Sequence, residues 1–187
     1  DSDTDSDTDS DSDSDTDSDS DTDTDVEQDP DTPYTVEEGG FYRSGTWRGL
    51  IWTGAGEAST ILPESFKDAS AGQDSFCVSG TVGDTTNWAG FGSLGVNLNQ
   101  ADPDAEIGTV PTDGDGLLID ITNSGGTELR IQIEGINGDT DPDQRWCYSI
   151  GSNSTDGEKL IQWSSFRTEC WEGGAQVAYD GSVEIAR

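Results

Sequence analysis

Hydrophobic and polar residues alternate strictly between Glu128 and Glu134. Leu129, Ile131 and Ile133 occupy every second position, and the residues between them are polar. Because successive side chains of a strand point to opposite faces, a period of two predicts a strand with one buried face and one solvent-exposed face. We therefore expect a β-strand here whose polar face is available for binding.

Short apolar runs, separated by Gly, Asp, Asn and Ser, continue along the chain after residue 39. Helical periodicity is nearly absent, and we expect helices to be at most single turns, such as 164–167. Regularly spaced strands with turn residues between them are typical of an all-β fold, and here they predict an antiparallel jelly-roll β-sandwich. The predicted strands are 45–53, 75–82, 92–99, 116–122, 128–134, 145–150, 159–163 and 175–186.

The first 25 residues alternate Asp with Ser or Thr without a break. This repeat contains nothing that a core could bury, so burial cannot offset the entropy of ordering it. We predict a solvated acidic tail at 1–25, a proline-containing linker at 26–38 and a β-sandwich domain at 39–187. The repeat also offers a row of carboxylates for calcium and a row of hydroxyls for O-glycans or phosphate. Order imposed on the tail by glycans or neighbouring subunits is the alternative.

Acidic residues outnumber basic residues by 40 to 8, which gives a formal net charge of −32. Proteins bind nucleic acids through Lys and Arg at the phosphates, so this balance argues against nucleic acid as a partner. The chain has no histidine, which excludes a Ser-His-Asp triad and a His-bearing zinc site. No apolar run approaches the roughly 20 residues of a transmembrane helix, so we expect a chain that does not span a membrane.

Three cysteines, Cys77, Cys147 and Cys170, all lie in strand-like segments. In an oxidising compartment three cysteines leave one unpaired. We expect a disulfide between Cys147 and Cys170, because the strands that carry them are predicted neighbours. The alternating pattern is still running at Arg187, and we expect a last strand with a fourth cysteine beyond that residue. Three reduced, buried thiols are the alternative.

Six blocks of the sequence stand out together: Gly45–Gly49, Phe76–Val82, Leu94–Gln100, Leu129–Ile133, Arg145–Cys147 and Phe166–Trp171. These blocks resemble secreted myxobacterial-type proteins that carry a carbohydrate-binding-module-like β-sandwich. The resemblance covers about residues 39–186. It implies a galactose-binding-like jelly roll that follows a low-complexity linker behind a signal sequence or a lipoprotein anchor.

A carbohydrate site needs aromatic rings, which stack on apolar sugar faces, and planar polar groups, which bond to sugar hydroxyls. Trp88, in a turn-like segment, is the predicted stacking platform. The alternative is a solvated β face whose cross-strand pairs each contribute little. If the polar sides of the strands adjoin in one sheet, they form a cleft with the candidate ligand-binding residues Asn97, Asn99, Asp120, Arg130, Gln132, Glu134 and Gln162.

Alternating acidic residues in loops raise the question of a metal. Calcium takes six to eight oxygen ligands, and Asp-x-Asp spacing in a glycine-containing loop can supply several of them. The loop from Asn137 to Asp143 offers Asp139, Asp141 and Asp143. We predict these three residues as the candidate Ca²⁺ site.

Together these patterns predict a non-catalytic carbohydrate-binding-like module, extracellular or tethered to the cell surface by its acidic stalk. Its expected partner is a glycan or a cell-surface polysaccharide. The alternative is a structural subunit that self-associates into an extracellular filament or coat. We expect no enzymatic activity, because with 40 acidic residues a carboxylate pair at glycosidase spacing arises without specificity.

Overall fold

The computed structural model describes residues 35–72, 75–84, 89–152, 157–168 and 176–187. Within these ranges the regular secondary structure is almost entirely β, and the helical elements are two 3₁₀ turns, Pro142–Gln144 and Trp163–Ser165. The strands are β1 (Thr35–Glu37), β2 (Phe41–Ser44), β3 (Trp47–Ala55), β4 (Thr60–Leu62), β5 (Ser79–Thr81), β6 (Gly92–Val96), β7 (Gly116–Asp120), β8 (Leu129–Glu134), β9 (Arg145–Ile150), β10 (Glu158–Gln162) and β11 (Arg167–Thr168).

The described strands form two larger sheets and two ribbons. The first sheet has the strand order β1-β2-β3-β6, and the second has the order β11-β9-β8. The ribbons pair β10 with β7 and β4 with β5. Every one of these strand pairings is antiparallel. The all-β, antiparallel class that the alternating pattern predicts is therefore confirmed.

Strands could be predicted where apolar and polar residues alternate over a long segment. The predictions at 45–53, 92–99, 116–122, 145–150 and 159–163 each overlap an observed strand, as does the opening one at β8. The predicted strand 75–82 is a strand only in β5. By contrast, β1, β2, β4 and β11 were not predicted, because each has four residues or fewer and shows no repeated pattern.

The prediction of a strand at 175–186 is wrong over the part that the structure describes. Residues 176–187 make isolated bridges, one between β11 and Ala178 and one between Ile185 and the loop before β7. The backbone of Ala186 bonds to β8 on one side and to the chain after β6 on the other. Because the segment passes from one partner to the next, no continuous ladder forms.

The first sheet begins before Gly39, the predicted start of the domain. β1 lies inside the predicted linker 26–38, and its central residue Val36 is 1% exposed. Val36 packs with Ile51 and Phe66 in a small hydrophobic cluster. A single apolar side chain therefore extends the folded part into a stretch whose composition is that of a linker.

The main hydrophobic cluster joins the β11-β9-β8 sheet to the β10-β7 ribbon. The ribbon contributes Leu117, Ile119 and Ile161, and β8 contributes Ile131 and Ile133. The two layers thus turn their inner faces toward one shared core. Its aromatic centre consists of Trp146, Trp163, Phe166 and Tyr179.

Tyr179 connects the chain after β11 to this core. Its ring packs against Trp146 with the ring centroids 4.8 Å apart, and its hydroxyl donates a hydrogen bond to the carbonyl oxygen of Val183. Burial raises the pKa of Tyr179 above its usual value. The neutral phenol is therefore the form that this core accommodates.

Glu37 in β1 joins the first three strands of the first sheet. It accepts one hydrogen bond from Arg43 Nε at 2.6 Å and another from Arg48 Nε at 2.8 Å. Partial burial alone would raise the pKa of Glu37, but the hydrogen bonds and positive charges of the two arginines outweigh it and hold the pKa below its usual value. The carboxylate is thus stabilised in its charged form.

Replacing Glu37 with glutamine should make the stability of the protein less dependent on pH. Because the folded-state pKa is depressed, the ion pairs stabilise the fold above the ordinary pKa of 4.5, and that contribution is lost as the pH falls through the folded-state pKa. We expect Glu37→Gln to cost about 1 kcal/mol at neutral pH and almost nothing in strong acid. Urea unfolding at the two pH values measures the difference.

The matched control for this prediction is Glu38→Gln, a change at the adjacent and exposed glutamate. It removes the same charge but none of the ion pairs, so its effect on stability should be small at both pH values. If Glu37→Gln and Glu38→Gln gave the same pH profile of stability, the ion pairs would not stabilise the fold.

Candidate functional site

The outer face of the β11-β9-β8 sheet carries a concentration of polar side chains. Opposite residues of an antiparallel pair point to the same side of a sheet. The register pairs Arg130 with Ser149, Gln132 with Cys147 and Glu134 with Arg145, and it pairs Cys147 with Arg167. We call the arginine face the surface formed by Arg130, Gln132, Glu134, Arg145, Ser149 and Arg167.

The alternation along β8 determines which side chains reach this surface. Ile131 and Ile133 lie in or against the main core, so Arg130 and Gln132 point outward, and both are exposed. Gln132 Nε2 donates a hydrogen bond to Glu134 Oε1 at 2.6 Å. The polar face expected for this strand is therefore present, and the amide of Gln132 is oriented along it.

Arg187 reaches the same surface from the chain after Ala186. Its Nη1 lies 3.0 Å from Glu134 Oε2 and 2.7 Å from Asp139 Oδ1. Partial burial alone would lower the pKa of Arg187, but the hydrogen bonds to Asp139 and Glu134 outweigh it and raise the pKa. Arg187 thereby offsets the negative charge of Glu134 within the arginine face.

Half of the basic residues of the chain meet at this surface. The sequence has eight Lys and Arg residues, and four of them form or contact the arginine face: Arg130, Arg145, Arg167 and Arg187. This is unexpected in a chain of net charge −32. It makes the face the most distinctive chemical feature of the described residues.

Arg145, Ser149 and Arg167 were not predicted as site residues. Trp146, Tyr148 and Ile150 alternate with Arg145 and Ser149 in sequence, so the period of two already placed both on the non-core side of the strand. Arg167 left no such signal, because β11 has two residues and its place beside β9 follows only from the three-dimensional pairing.

Asp120 and Gln162, predicted to join the same cleft, lie on another surface. They belong to the outer face of the β10-β7 ribbon, whose inner face packs on the core opposite to β8. The outer faces of two layers that share a core point away from each other. Asp120 and Gln162 are exposed, but the structure does not bring them to the arginine face.

Asn97 and Asn99 lie at the end of the first sheet. Asn97 is 5% exposed, and its Nδ2 donates a hydrogen bond to Gln100 Oε1 at 2.7 Å. Asn99 is exposed and donates from Nδ2 to the carbonyl oxygen of Thr109 at 2.9 Å. Asn97 is too deeply buried to contact a ligand on a strand face. Trp88, the predicted stacking platform, lies outside the described residues.

The predicted calcium loop uses its carboxylates within the protein. Asp141 caps the 3₁₀ turn Pro142–Gln144, accepting from Asp143 N at 3.0 Å and from Gln144 Nε2 at 3.3 Å. Asp139 pairs with Arg187, and Asp143 is exposed. Among the described residues no group of three or more His, Cys, Asp or Glu side chains could hold a metal ion. The loop does not assemble the ligand set that Ca²⁺ requires, and calcium binding stays a prediction for titration.

The cysteines are described only in part. Cys147 is 1% exposed, although it lies between the exposed Gln132 and Arg167 on the outer side of β9. Cys77 is a free, exposed thiol. Cys170 lies outside the described residues, so its pairing with Cys147 stays a prediction.

Two other surface features are candidates for contact. An open groove of about 440 Å³ is lined by Glu38, Lys67, Asp68, Ala69, Ser70 and Ala71. It mixes both signs of charge. On the β10-β7 ribbon, Leu118 and Leu160 are direct cross-strand partners and are 58% and 53% exposed. That pair forms an apolar centre between the polar ends of the ribbon.

Comparison of the chain with protein-family models, with curated proteins and with solved structures found no match. No helix in the part of the chain that the structure describes is both long enough and apolar enough to cross a membrane.

Proposed function

We propose that this chain is a non-catalytic, carbohydrate-binding-like module whose ligand surface is the arginine face. The observation that carries the proposal is the meeting of four of the eight basic side chains with exposed Gln132 and Ser149 on one sheet face. Guanidinium, amide and hydroxyl groups are the partners that sugar hydroxyls and acid groups require. A regular sheet holds such groups at fixed spacing.

The proposal includes the fold, the partner and the location. Residues 39–186 would belong with galactose-binding-like jelly-roll β-sandwiches of the secreted myxobacterial type, and two layers sharing one core support that assignment. The module would sit outside the cell, free or held at the surface by its acidic stalk. A glycan or a cell-surface polysaccharide would be its partner, and Ser or Thr of the stalk would carry O-glycans.

The pKa shifts of two described carboxyl groups give no support to acid catalysis at either of them. A general acid of a glycosidase needs a carboxyl group whose pKa is raised. The pKa of Glu37 and that of Asp180 are both shifted downward, by hydrogen bonds from arginines and from Ser182 respectively. Neither carboxyl group has the property that acid catalysis requires.

A glycan array probed with the full chain tests the proposal, followed by calorimetry on the glycans that bind. Gln132→Ala should weaken binding by about threefold to tenfold, because it removes one or two hydrogen bonds of about 0.5–1.5 kcal/mol each. Gln162→Ala is the matched control, since Gln162 is also an exposed strand glutamine but lies on the opposite layer.

The two glutamine variants test where the ligand binds, whereas the array tests whether the chain binds any glycan. Equal losses in both would place the ligand elsewhere than on the arginine face. Failure of every glycan to bind at millimolar concentration would overturn the proposed function itself.

A structural subunit of an extracellular filament or coat is the second candidate, and the exposed pair of Leu118 and Leu160 favours it. Exposed apolar patches often mark protein contacts. Negative-stain microscopy of purified protein separates the two functions. Uniform fibres that disappear in the double variant Leu118→Ser, Leu160→Ser would support the structural role, with Val177→Ser as a control at another exposed apolar residue. Monodisperse monomers would contradict that role.

A further inference from the structure

Charge is distributed unevenly over the chain. Residues 1–34 contain 16 of the 40 acidic residues and none of the 8 basic ones, so residues 35–187 contain 24 acidic and 8 basic residues, a net charge of −16. Among the described residues, four arginines lie in or against the arginine face, and Arg187 bridges the carboxylates of Glu134 and Asp139 there. A local concentration of arginines attracts anions even where the whole molecule repels them.

Arg167 is the residue of this face best placed to meet a ligand. It is exposed, and it makes no ion pair within the described ranges. Arginine presents a planar fork of donors that matches carboxylate and sulfate groups in two-point contacts. A side chain of this kind on a regular strand is suited to an acid group of a partner.

Arg130 and Arg167 are separated by two strands and by two residues along the strand direction. With strands about 4.8 Å apart and about 3.4 Å per residue, their α-carbons lie about 12 Å from each other. Two arginine side chains at this separation can converge on one anion or contact two acid groups of the same polymer. A polymer with repeated acid groups can contact both residues at once.

Neutral hydrogen-bonding groups lie between and beside these arginines. Ser149 is opposite Arg130, and Gln132 is in the same cross-strand row as Arg167. Both are exposed, and they can donate to and accept from hydroxyl groups. A ligand that offers hydroxyls as well as acid groups therefore uses more of this face than a ligand with acid groups alone.

We propose that the arginine face selects acidic polysaccharides, which carry carboxylate or sulfate groups, over neutral ones. The proposal rests on the proposed carbohydrate-binding function and names the ligand class for the same face. Arg130 and Arg167 contact acid groups of successive parts of the polymer, and Gln132 and Ser149 contact its hydroxyls.

Affinity measurements with the full chain test the proposal on three polymers: polygalacturonate, dextran sulfate and unmodified dextran. We expect at least tenfold tighter binding of one or both charged polymers than of dextran. The two charged polymers distinguish carboxylate from sulfate as the preferred group. Raising the salt from about 0.01 M to 1 M shortens the screening length from about 30 Å to 3 Å, so binding of the charged polymers should weaken more than tenfold.

Variants of single basic residues test whether the charged polymers bind at the arginine face. Arg167→Gln should reduce affinity for the preferred charged polymer about tenfold or more, while Arg167→Lys should retain part of it, because lysine keeps the charge but not the fork of donors. Lys67→Gln is the matched control, since it removes one charge from an exposed residue of the groove far along the sequence. An equal loss in Lys67→Gln would overturn the assignment to this face.

Two outcomes separate this proposal from the function on which it rests. Equal binding of dextran and of both charged polymers would overturn the selection of acidic ligands and leave carbohydrate binding intact. A synthetic peptide of residues 1–25 is the competing polyanion. If it binds in an Arg167-dependent manner while all three polymers fail, the face serves head-to-tail association of the chain and the selectivity is overturned. If every glycan of the array fails as well, the carbohydrate function is also overturned.

Discussion

Replacing Phe166 with alanine is expected to lower the free energy of unfolding by about 3–5 kcal/mol. Phe166 is 0% exposed, and its ring centroid lies 6.3 Å from that of Tyr148 and 6.1 Å from that of Trp163. Its backbone carbonyl accepts a hydrogen bond from Tyr179. Removal of the ring leaves a cavity at a point where three segments meet and cannot all move inward.

Urea unfolding followed by tryptophan fluorescence measures this loss. Phe91→Ala is the matched control, because Phe91 is 49% exposed and its truncation opens no enclosed cavity. We expect the control to cost less than about 1 kcal/mol. Native domains are stable by only about 5–15 kcal/mol, so Phe166→Ala should also lower the yield of folded protein. Equal losses in the two variants would show that the aromatic cluster is not the centre of stability.

The arginine face was predictable in part. Strict alternation in β8 placed Arg130, Gln132 and Glu134 on one outward side, and the structure keeps them together. The same rule assigns a face to each strand separately, but it cannot tell which strands share a layer. Asp120 and Gln162 were therefore grouped with these residues, whereas the shared core between β8 and the β10-β7 ribbon puts them on the opposite side.

Short strands could not be predicted from the sequence either. β1, β2, β4 and β11 have from two to four residues, too few for a repeated pattern. Their positions depend on contacts that are distant in sequence, such as the packing of Val36 on Ile51 and Phe66. The segment 176–187 shows the opposite behaviour. Its alternation predicts a strand, but its hydrogen bonds are distributed over β8, β11 and two loops.

The turn between β1 and β2 contains two adjacent glycines that differ in the space available for a side chain. Gly39 has a φ of +82° and Gly40 a φ of +78°, so both adopt the left-handed backbone that favours glycine. A β-carbon at Gly39 would meet no atom within 4 Å, whereas one at Gly40 would lie 2.5 Å from the carbonyl oxygen of Phe66. A residue with a β-carbon would therefore incur similar backbone strain at either position, and the two positions differ in the space available for it.

Gly40→Ala should destabilise the protein by about 2–5 kcal/mol, against about 1–2 kcal/mol for Gly39→Ala. The atoms in the way at Gly40 are backbone atoms of Phe66, which cannot move aside as a flexible side chain would. Shifting them displaces the Phe66 ring from its cluster with Val36 and Ile51. Thermal and urea unfolding of both variants measure the difference, and equal losses would show that the loop carrying Phe66 moves freely.

The same pair of variants tests whether the first sheet acts on the ligand surface. Gly40 belongs to the turn beside the β1-β2-β3-β6 sheet, and the arginine face belongs to the β11-β9-β8 sheet. The altered contact and the proposed ligand contacts have no residue in common. We therefore expect Gly40→Ala to lower the fraction of folded protein while leaving the affinity of the folded molecules for acidic polysaccharide within about twofold of the wild type. A larger loss of affinity would mean that the position of the second sheet depends on the packing of Phe66.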